Sequence, residues 1–396
     1  MIKKLIIILV IIANQTGYSQ TISKNIIEYI NSTVTIFLDE NTKSGSGFII
    51  DNGKIVTNLH VIEGNKNGYV IINGTDIKHK IEGYFDYDNR TDLVILSVPT
   101  LEGKPLLLAE EQSKNGDQVF AIENPIISTK VILEGKIVYS SSSNISGIIK
   151  TSIPLKFGNS GGALLNKKGQ VLGIVFGASI TLDGELNRGY ATDVSFLKNL
   201  LKNKNETKKN LDITNGAYYY LNQSRLKYDD KNYSEALTDI NKSIELNPKL
   251  FFSYFNRANL KIKLNNLQGC IEDCNKSIEI IPNFADAFYV RGLVKMKLKN
   301  YIGAMEDFNK SIEIDTNFAS AYNIRGIVKG NLKDFGGAIK DLDISIKIEP
   351  NNSTFFISRG GIKFFSNNKK EGCEDFQRAK ELGHIDAQKF LDKFCK

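Results

Sequence analysis

The chain has 396 residues, of which 41% are hydrophobic and 24% are charged, a composition typical of soluble globular proteins. This balance excludes a mainly disordered chain or several membrane spans, and the length predicts two or three domains. The formal net charge of +7 is too mild to require nucleic acid or an acidic membrane as partner. Only three histidines are present (His60, His79 and His384), and no cysteine precedes Cys270.

The N-terminus has the pattern of a secretory signal peptide. Lys3 and Lys4 precede a short apolar run over 5–13, and the small residues Gly17 and Ser19 follow it. This order predicts a signal peptide over 1–19, cleaved before residue 20, and export to the periplasm or the extracellular space. The run is under half of the roughly 20 apolar residues that span a bilayer, so we expect no stable membrane anchor.

Short apolar runs dominate the next segment, 20–201, and turn-forming residues separate them. This texture predicts many short strands and an all-β sandwich or barrel, closed by a helix over 194–201. Residues 202–210 are polar and charged without an apolar face, so 202–216 is predicted to be a linker. The runs are 34–38, 48–50, 69–72, 93–98, 118–122, 131–139 and 171–176.

From residue 217 onward the pattern becomes helical and repeats every 34 residues. One small residue and one aspartate recur at fixed positions in five copies, and Pro ends three of the four junctions. The small residues are Ala236, Cys270, Ala304, Ala338 and Gly372, and the acids are Asp239, Asp273, Asp307, Asp341 and Asp375. This pattern resembles the tetratricopeptide (TPR) repeat, a helix–turn–helix unit.

The resemblance implies an all-α solenoid whose concave surface binds a protein partner. Its five repeats are predicted over 217–250, 251–284, 285–318, 319–352 and 353–384, followed by a capping helix over 385–396. Arg257, Arg291, Arg325 and Arg359 share another repeat position. They indicate either a basic ladder for acidic peptides or Arg–Asp pairing within the stack, and the matching period of the Asp series favours pairing.

Four segments of the N-terminal half carry the candidate chemistry. They are SGSGFII at 44–50, IVTNLHVI at 55–62, TDLVIL at 91–96 and FGNSGGALL at 157–165. In this order they resemble the trypsin-type serine peptidases, most closely the HtrA-like bacterial branch. The resemblance implies an all-β double barrel with the active site between the barrels. It also implies a catalytic triad of His60, Asp92 and Ser160, with an oxyanion hole formed by the N–H groups of Gly158 and Ser160.

The residue types fit acyl transfer independently of the resemblance. A serine hydroxyl needs a base to become nucleophilic, and this half of the chain offers only His60 and His79. His79 lies in a polar Lys-His-Lys segment typical of a surface. Asp92 precedes an apolar strand and is favoured to orient His60, while Asp86 and Asp88 remain competitors.

The family alignment also implies a substrate pocket. The lining residues would be Pro154 and Leu155, a wall of Phe176, Gly177 and Ala178 that pairs with substrate backbone, and Gly189 opposite. Because no acid falls at the pocket base, we expect a preference for small or medium apolar side chains. We expect the repeats to stand in place of the PDZ domain that usually accompanies HtrA-like peptidases, so trimer assembly and PDZ-gated regulation are not expected to carry over.

The cysteines do not suggest a metal site. Cys270 and Cys274 are four residues apart at packing positions of one helix and are expected to be buried. Cys373 and Cys395 are candidates for a disulfide that fastens the capping helix in an oxidising compartment. No metal and no cofactor are predicted.

The sequence therefore predicts an exported serine endopeptidase that acts on protein or peptide substrates and recruits a partner through its TPR array. One alternative is a TPR scaffold or holdase whose peptidase domain is weak or silent. Another keeps the enzyme and makes the repeats an intramolecular lid.

Overall fold

The computed structural model describes residues 24–39, 42–123, 131–140, 147–155, 158–180, 186–203, 207–211 and 216–395. The predicted signal peptide, 1–19, lies outside these residues. The chain divides into two compact units, Met1–Leu250 and Phe251–Lys396.

The first unit is rich in strands, as the short apolar runs predict. The strands are β1 (Thr33–Leu38), β2 (Thr42–Asp51), β3 (Lys54–Asn58), β4 (Gly68–Ile72), β5 (Lys78–Lys80), β6 (Gly83–Asp88), β7 (Leu93–Ser97), β8 (Gln118–Glu123), β9 (Val131–Ser140), β10 (Ile148–Thr151), β11 (Ala163–Leu165), β12 (Val171–Ile180) and β13 (Leu186–Asp193). The helices are α1 (Lys24–Glu28), α2 (Leu59–Ile62), α3 (Val194–Lys202), α4 (Ala217–Asp229) and α5 (Tyr233–Leu246).

The strands form two antiparallel layers. The first is a seven-stranded sheet in the order β5-β4-β1-β2-β3-β7-β6, and the second is a closed barrel in the order β10-β13-β12-β11-β8-β9. The predicted double barrel is therefore closed in its second half, while the pairing among described residues leaves β5 and β6 at the edges of the first.

Three apolar clusters among the described residues stabilise this unit. One fills the first sheet and another fills the barrel. The third joins residues of both layers, such as Phe48 and Phe120, and α1 and α3 cover it through Ile26 and Leu197. Burial of these side chains fixes the two layers against each other, since apolar area removed from water is the main favourable term in folding.

Part of the predicted linker packs on the first sheet. Lys209 and Tyr84 exchange backbone hydrogen bonds of 2.8 and 2.9 Å, and Leu211 is buried in the core of the first sheet. The predicted linker therefore packs on the first sheet over 207–211, where its backbone pairs with the open edge of β6.

The second unit is helical and keeps the 34-residue period. Its helices are α6 (Phe251–Lys263), α7 (Leu267–Ile280), α8 (Ala285–Lys297), α9 (Tyr301–Ile314), α10 (Ala319–Asn331), α11 (Phe335–Ile348), α12 (Ser353–Phe365), α13 (Lys369–Glu381) and α14 (Ala387–Phe394). The second helix is capped in three of the four described pairs, where the side chain of Asn266, Asn300 or Asp334 accepts a hydrogen bond from the N–H three residues on.

The repeated arginines pair with the repeated aspartates, so the pairing interpretation is confirmed. In each pair, the Nε and Nη2 atoms of the arginine both donate to one carboxylate. For example, Arg291 Nη2 lies 2.6 Å from Asp307 Oδ1, and Arg291 Nε lies 3.0 Å from Asp307 Oδ2. A lysine one turn later joins the same carboxylate, with Lys295 Nζ 2.9 Å from Asp307. The remaining pairs are Arg257–Asp273, Arg325–Asp341 and Arg359–Asp375.

The cysteines of this unit behave in two ways. Cys270 and Cys274 are free and buried at helix-packing positions, as expected. The Sγ atoms of Cys373 and Cys395 are 1.97 Å apart and link α13 to the end of α14.

Candidate active site

His60 and Asp92 come together at the same end of two neighbouring strands. Strand β3 ends at Asn58, which pairs with Leu93 at the start of β7. His60 therefore lies just beyond one strand, in α2, and Asp92 lies just before the other. His60 Nδ1 is 2.5 Å from Asp92 Oδ2, and the His60 backbone N–H donates to Asp92 Oδ1 at 2.9 Å. The two contacts fix the orientation of the imidazole relative to the carboxylate.

Asp92 is held by more than His60. Its carbonyl oxygen accepts hydrogen bonds from Asn58 Nδ2 at 2.9 Å and from the Leu59 N–H at 3.0 Å. Its side chain is 1% exposed, and its φ of +60° lies in the left-handed region, where Asp is among the few tolerated residues. The sequence analysis did not predict that Asn58 supports Asp92, although its position two residues before His60 indicates that it lies near the site.

The loop that carries Ser160 is fastened to β2 by Ser46. The Ser46 N–H donates to the Ser160 carbonyl at 2.9 Å, and Ser46 Oγ donates to the Gly158 carbonyl at 2.7 Å. Gly158 and Gly161 have φ of +92° and +86°, so glycine is needed at both positions. A Cβ on Gly161 would also lie 2.1 Å from Thr57 Oγ1.

Strand β2 brings the serine loop and the histidine helix to one place. A Cβ added to Gly45 would lie 2.7 Å from the Val61 side chain and 3.0 Å from the Ser160 carbonyl oxygen. Val61 directly follows His60, so the elements carrying His60 and Ser160 both contact this glycine. Thr192 on β13 donates to the carbonyl of Thr91 at 3.2 Å and ties the barrel to the residue before Asp92.

The predicted pocket residues lie near the barrel strands β12 and β13. Phe176, Gly177 and Ala178 follow each other on β12, and Ala178 pairs with Gly189. Leu155 is 1% exposed in the barrel core, and a Cβ on Gly189 would lie 2.2 Å from its Cδ1. Leu155 is thus a core side chain beneath Gly189, and Pro154 precedes it at a half-buried position.

The competing residues have other contacts. His79 lies on β5, where its Nδ1 is 2.9 Å from the Thr100 carbonyl. Asp88 pairs with Arg90 through two contacts of 3.2 Å, and Arg90 holds the pKa of this carboxyl below its ordinary value against the opposing effect of burial. Asp86 Oδ2 accepts a hydrogen bond from Asn203 at 3.1 Å.

Two further residues lie at the site that no sequence motif indicated. Glu63, one turn after His60, is 3% exposed, and burial together with nearby Asp92 raises its pKa to about 7. Tyr218, from α4, has its ring stacked near His60, and burial followed by the charge of Asp92 raises its pKa well above the ordinary value. The sequence separation of Tyr218 from His60 gave no signal of this contact.

Comparison with known proteins agrees with this architecture. The family model of the trypsin-like peptidase domain matches residues 45–174, and the tetratricopeptide repeat model matches 217–250, 253–284 and 285–318. The chain thus contains a trypsin-like peptidase domain with HtrA- and DegP-like relatives, followed by tetratricopeptide repeats. Its β-rich peptidase domain and helical repeat region are the two parts that the sequence predicted.

Particular relatives are serine proteases by name. The serine protease Rv3671c of Mycobacterium tuberculosis is 32% identical over 147 residues, which is 34% of this chain and 36% of the relative. The "Probable periplasmic serine endoprotease DegP-like" of Buchnera aphidicola is 32% identical over 166 residues, which is 39% of this chain and 35% of the relative. The chain therefore spans little more than a third of these relatives.

A solved structure of the Rv3671c protease from M. tuberculosis in its active form is also similar. It is 25% identical and covers 51% of this chain and 99% of its own, with a TM-score of 0.41. None of the helices in the described part of this chain is long and apolar enough to cross a membrane.

Proposed function

We propose that the chain is a serine endopeptidase whose triad is His60, Asp92 and Ser160. The observation that carries the proposal is the double contact of Asp92 with His60, through Nδ1 at 2.5 Å and the backbone N–H at 2.9 Å. A carboxylate on Nδ1 leaves Nε2 as the basic nitrogen and stabilises the imidazolium that forms during the reaction.

The chemistry follows from these groups. His60 Nε2 takes the proton of Ser160 Oγ as that oxygen attacks a peptide carbonyl, and the N–H groups of Gly158 and Ser160 stabilise the oxyanion. His60 then gives the proton to the leaving amine, and water hydrolyses the acyl-enzyme through the same steps. The predicted wall over 176–178 with Gly189 would hold substrate backbone, and apolar side chains would be preferred at the cleaved residue.

We further propose that the peptidase domain covers 20–201 and that five repeats over 217–384 recruit a protein partner. Export through a cleaved signal peptide over 1–19 would deliver the protein to the periplasm or the extracellular space, in line with the name of its DegP-like relative. N-terminal sequencing of the exported protein tests this step, and the expected first residue is Gln20.

The decisive experiment is labelling by a fluorophosphonate probe, which reacts with an activated serine. The full chain is expected to incorporate the probe slowly and the Ser160→Ala variant not at all. Incorporation into both proteins at the same measurable rate would contradict the proposal and favour a TPR scaffold with a silent peptidase domain.

A further inference from the structure

The first turn of α4 lies on the candidate active site. The ring of Tyr218 stacks near the His60 imidazole, with 6.3 Å between centroids and 25° between planes, and its hydroxyl donates to the Arg90 carbonyl at 3.3 Å. Tyr218 is 9% exposed, and the His60 side chain is 8% exposed. A peptide substrate cannot approach this face of the imidazole while Tyr218 occupies it.

Glu63 fastens the beginning of α4. The first four backbone N–H groups of a helix have no partner within the helix. At the start of α4, the N–H of Tyr219 donates a hydrogen bond to Glu63 Oε2 at 2.8 Å. A carboxylate at this end is also favoured by the helix dipole. A Cβ on Gly216 would lie 2.2 Å from Glu63 Oε1, so the absence of a side chain at Gly216 permits the close approach.

The same helix reaches the predicted substrate wall. Arg225 Nη1 lies 3.8 Å from the position that a Cβ on Gly177 would take. Two turns of α4 separate Tyr218 from Arg225, so one rigid element lies beside His60 at one point and beside strand β12 at another. Gly177 is a residue that the family resemblance assigns to pairing with substrate backbone, and Arg225 lies beside it.

We infer that α4 is a built-in inhibitor that covers the peptidase site until the helix moves. This inference rests on the proposed peptidase function and adds its regulation. Because the covered state excludes substrate, the activity of the full chain is set by the fraction of molecules in which α4 has left the site. The packed Lys209 and Leu211 keep α4 close to the peptidase part, which favours its return.

The test compares fluorophosphonate labelling rates of full-length variants. Tyr218→Ala removes the ring over His60, and Gly216→Ala places a methyl group against Glu63 while its φ of −93° remains accessible to alanine. Both are expected to label faster than the wild type, by about tenfold for Tyr218→Ala if the open state is about a tenth populated at rest. Tyr219→Ala is the matched control, since the Tyr219 contact with Glu63 uses the backbone N–H, and its rate is expected to stay at the wild-type value.

The outcomes distinguish the inhibitory role of α4 from the proposed peptidase function. Ser160-dependent labelling at one rate in the wild type and both test variants would overturn the inhibitory role and leave the peptidase standing. Absence of Ser160-dependent labelling in every protein, including Tyr218→Ala, would overturn both. Thermal melts of Tyr218→Ala and Tyr219→Ala identify a folding defect, and Gly216→Ala, which truncates no side chain, then decides the question.

Discussion

The imidazole Nδ1 of His60 lies 2.5 Å from the carboxylate Oδ2 of Asp92, and the two residues flank the paired ends of β3 and β7. The pairing of Asn58 with Leu93 brings the backbones of the two residues side by side, within reach of their side chains. Residues 32 positions apart thereby come into contact and form the candidate catalytic pair.

Asp92→Asn should abolish most of the activity while leaving the fold intact. Asn tolerates the left-handed φ of Asp92, but its amide cannot stabilise an imidazolium and can favour the wrong tautomer. We expect the labelling rate to fall by about three to four orders of magnitude. Asp86→Asn is the control and should keep the wild-type rate, whereas equal losses in both variants would remove the special role of Asp92.

Ser46→Ala should weaken catalysis through the loop that carries Ser160. Loss of the 2.7 Å bond to the Gly158 carbonyl frees the peptide bond after Gly158, which lies between the two predicted oxyanion donors. We expect kcat to fall about tenfold, or ~1.4 kcal/mol, with KM little changed. Thr75→Ala removes a hydroxyl bond of 2.9 Å to Ile72 in a turn that carries no predicted site residue, and its kcat should be unchanged. A KM effect alone in Ser46→Ala would contradict this positioning role.

Ionisation of Glu63 should lower the free energy of unfolding as the pH rises from about 4.5 to about 7. In the folded chain its pKa is raised to about 7 from 4.5 by burial and by Asp92, against the opposing effects of His60 and the N–H groups of Tyr219 and Gly216. Between these pH values only the folded state keeps the proton, so its stability falls with pH, by up to about 3 kcal/mol in total.

Glu63→Gln should flatten this dependence, because the amide does not ionise. The measurement is urea denaturation at pH 5 and pH 8, followed by circular dichroism. Glu102→Gln changes an exposed residue and should keep the wild-type difference. An unchanged difference in Glu63→Gln would show that Glu63 is ionised throughout.

Asp307→Asn should destabilise the repeats. Asp307 is nearly buried and meets both Arg291 and Lys295, so its neutralisation leaves two partly buried cations without a counter-charge, at a cost of about 3 kcal/mol. Glu313→Gln breaks the exposed pair with Lys310 and should cost under about 1 kcal/mol. Thermal melts that shift equally in the two variants would refute this ranking.

Cys373 and Cys395 should form a disulfide in an oxidising environment. Alkylation of denatured, unreduced protein is expected to modify only Cys270 and Cys274, and all four thiols after reduction. Because the bond closes a loop over a separation of 22 residues, its loss in Cys373→Ser should destabilise the docking of α14 by about 3 kcal/mol. Four labels without reductant would exclude the bond.

The local patterns were sufficient for the architecture. The 34-residue period, the short apolar runs and the His, Asp and Ser segments each depend on neighbouring residues, so the sequence alone predicted a β-rich peptidase domain, helical repeats and the candidate triad. The Arg–Asp pairs could also be predicted from the sequence, since the arginines and the aspartates recur with the same period.

Only the tertiary structure decided the contacts between distant segments. Lys209 pairs with Tyr84 because the backbone groups at the edge of a sheet can accept another segment. Neither segment has a sequence pattern that predicts its partner. Tyr218 rests near His60 because Glu63 supplies a helix cap from a different element. Hydrophobic periodicity predicts which face of a helix or strand is buried, but it does not predict which other element packs against that face. That choice depends on the packing of the whole unit, and here it covers the predicted active site with a helix of the first repeat.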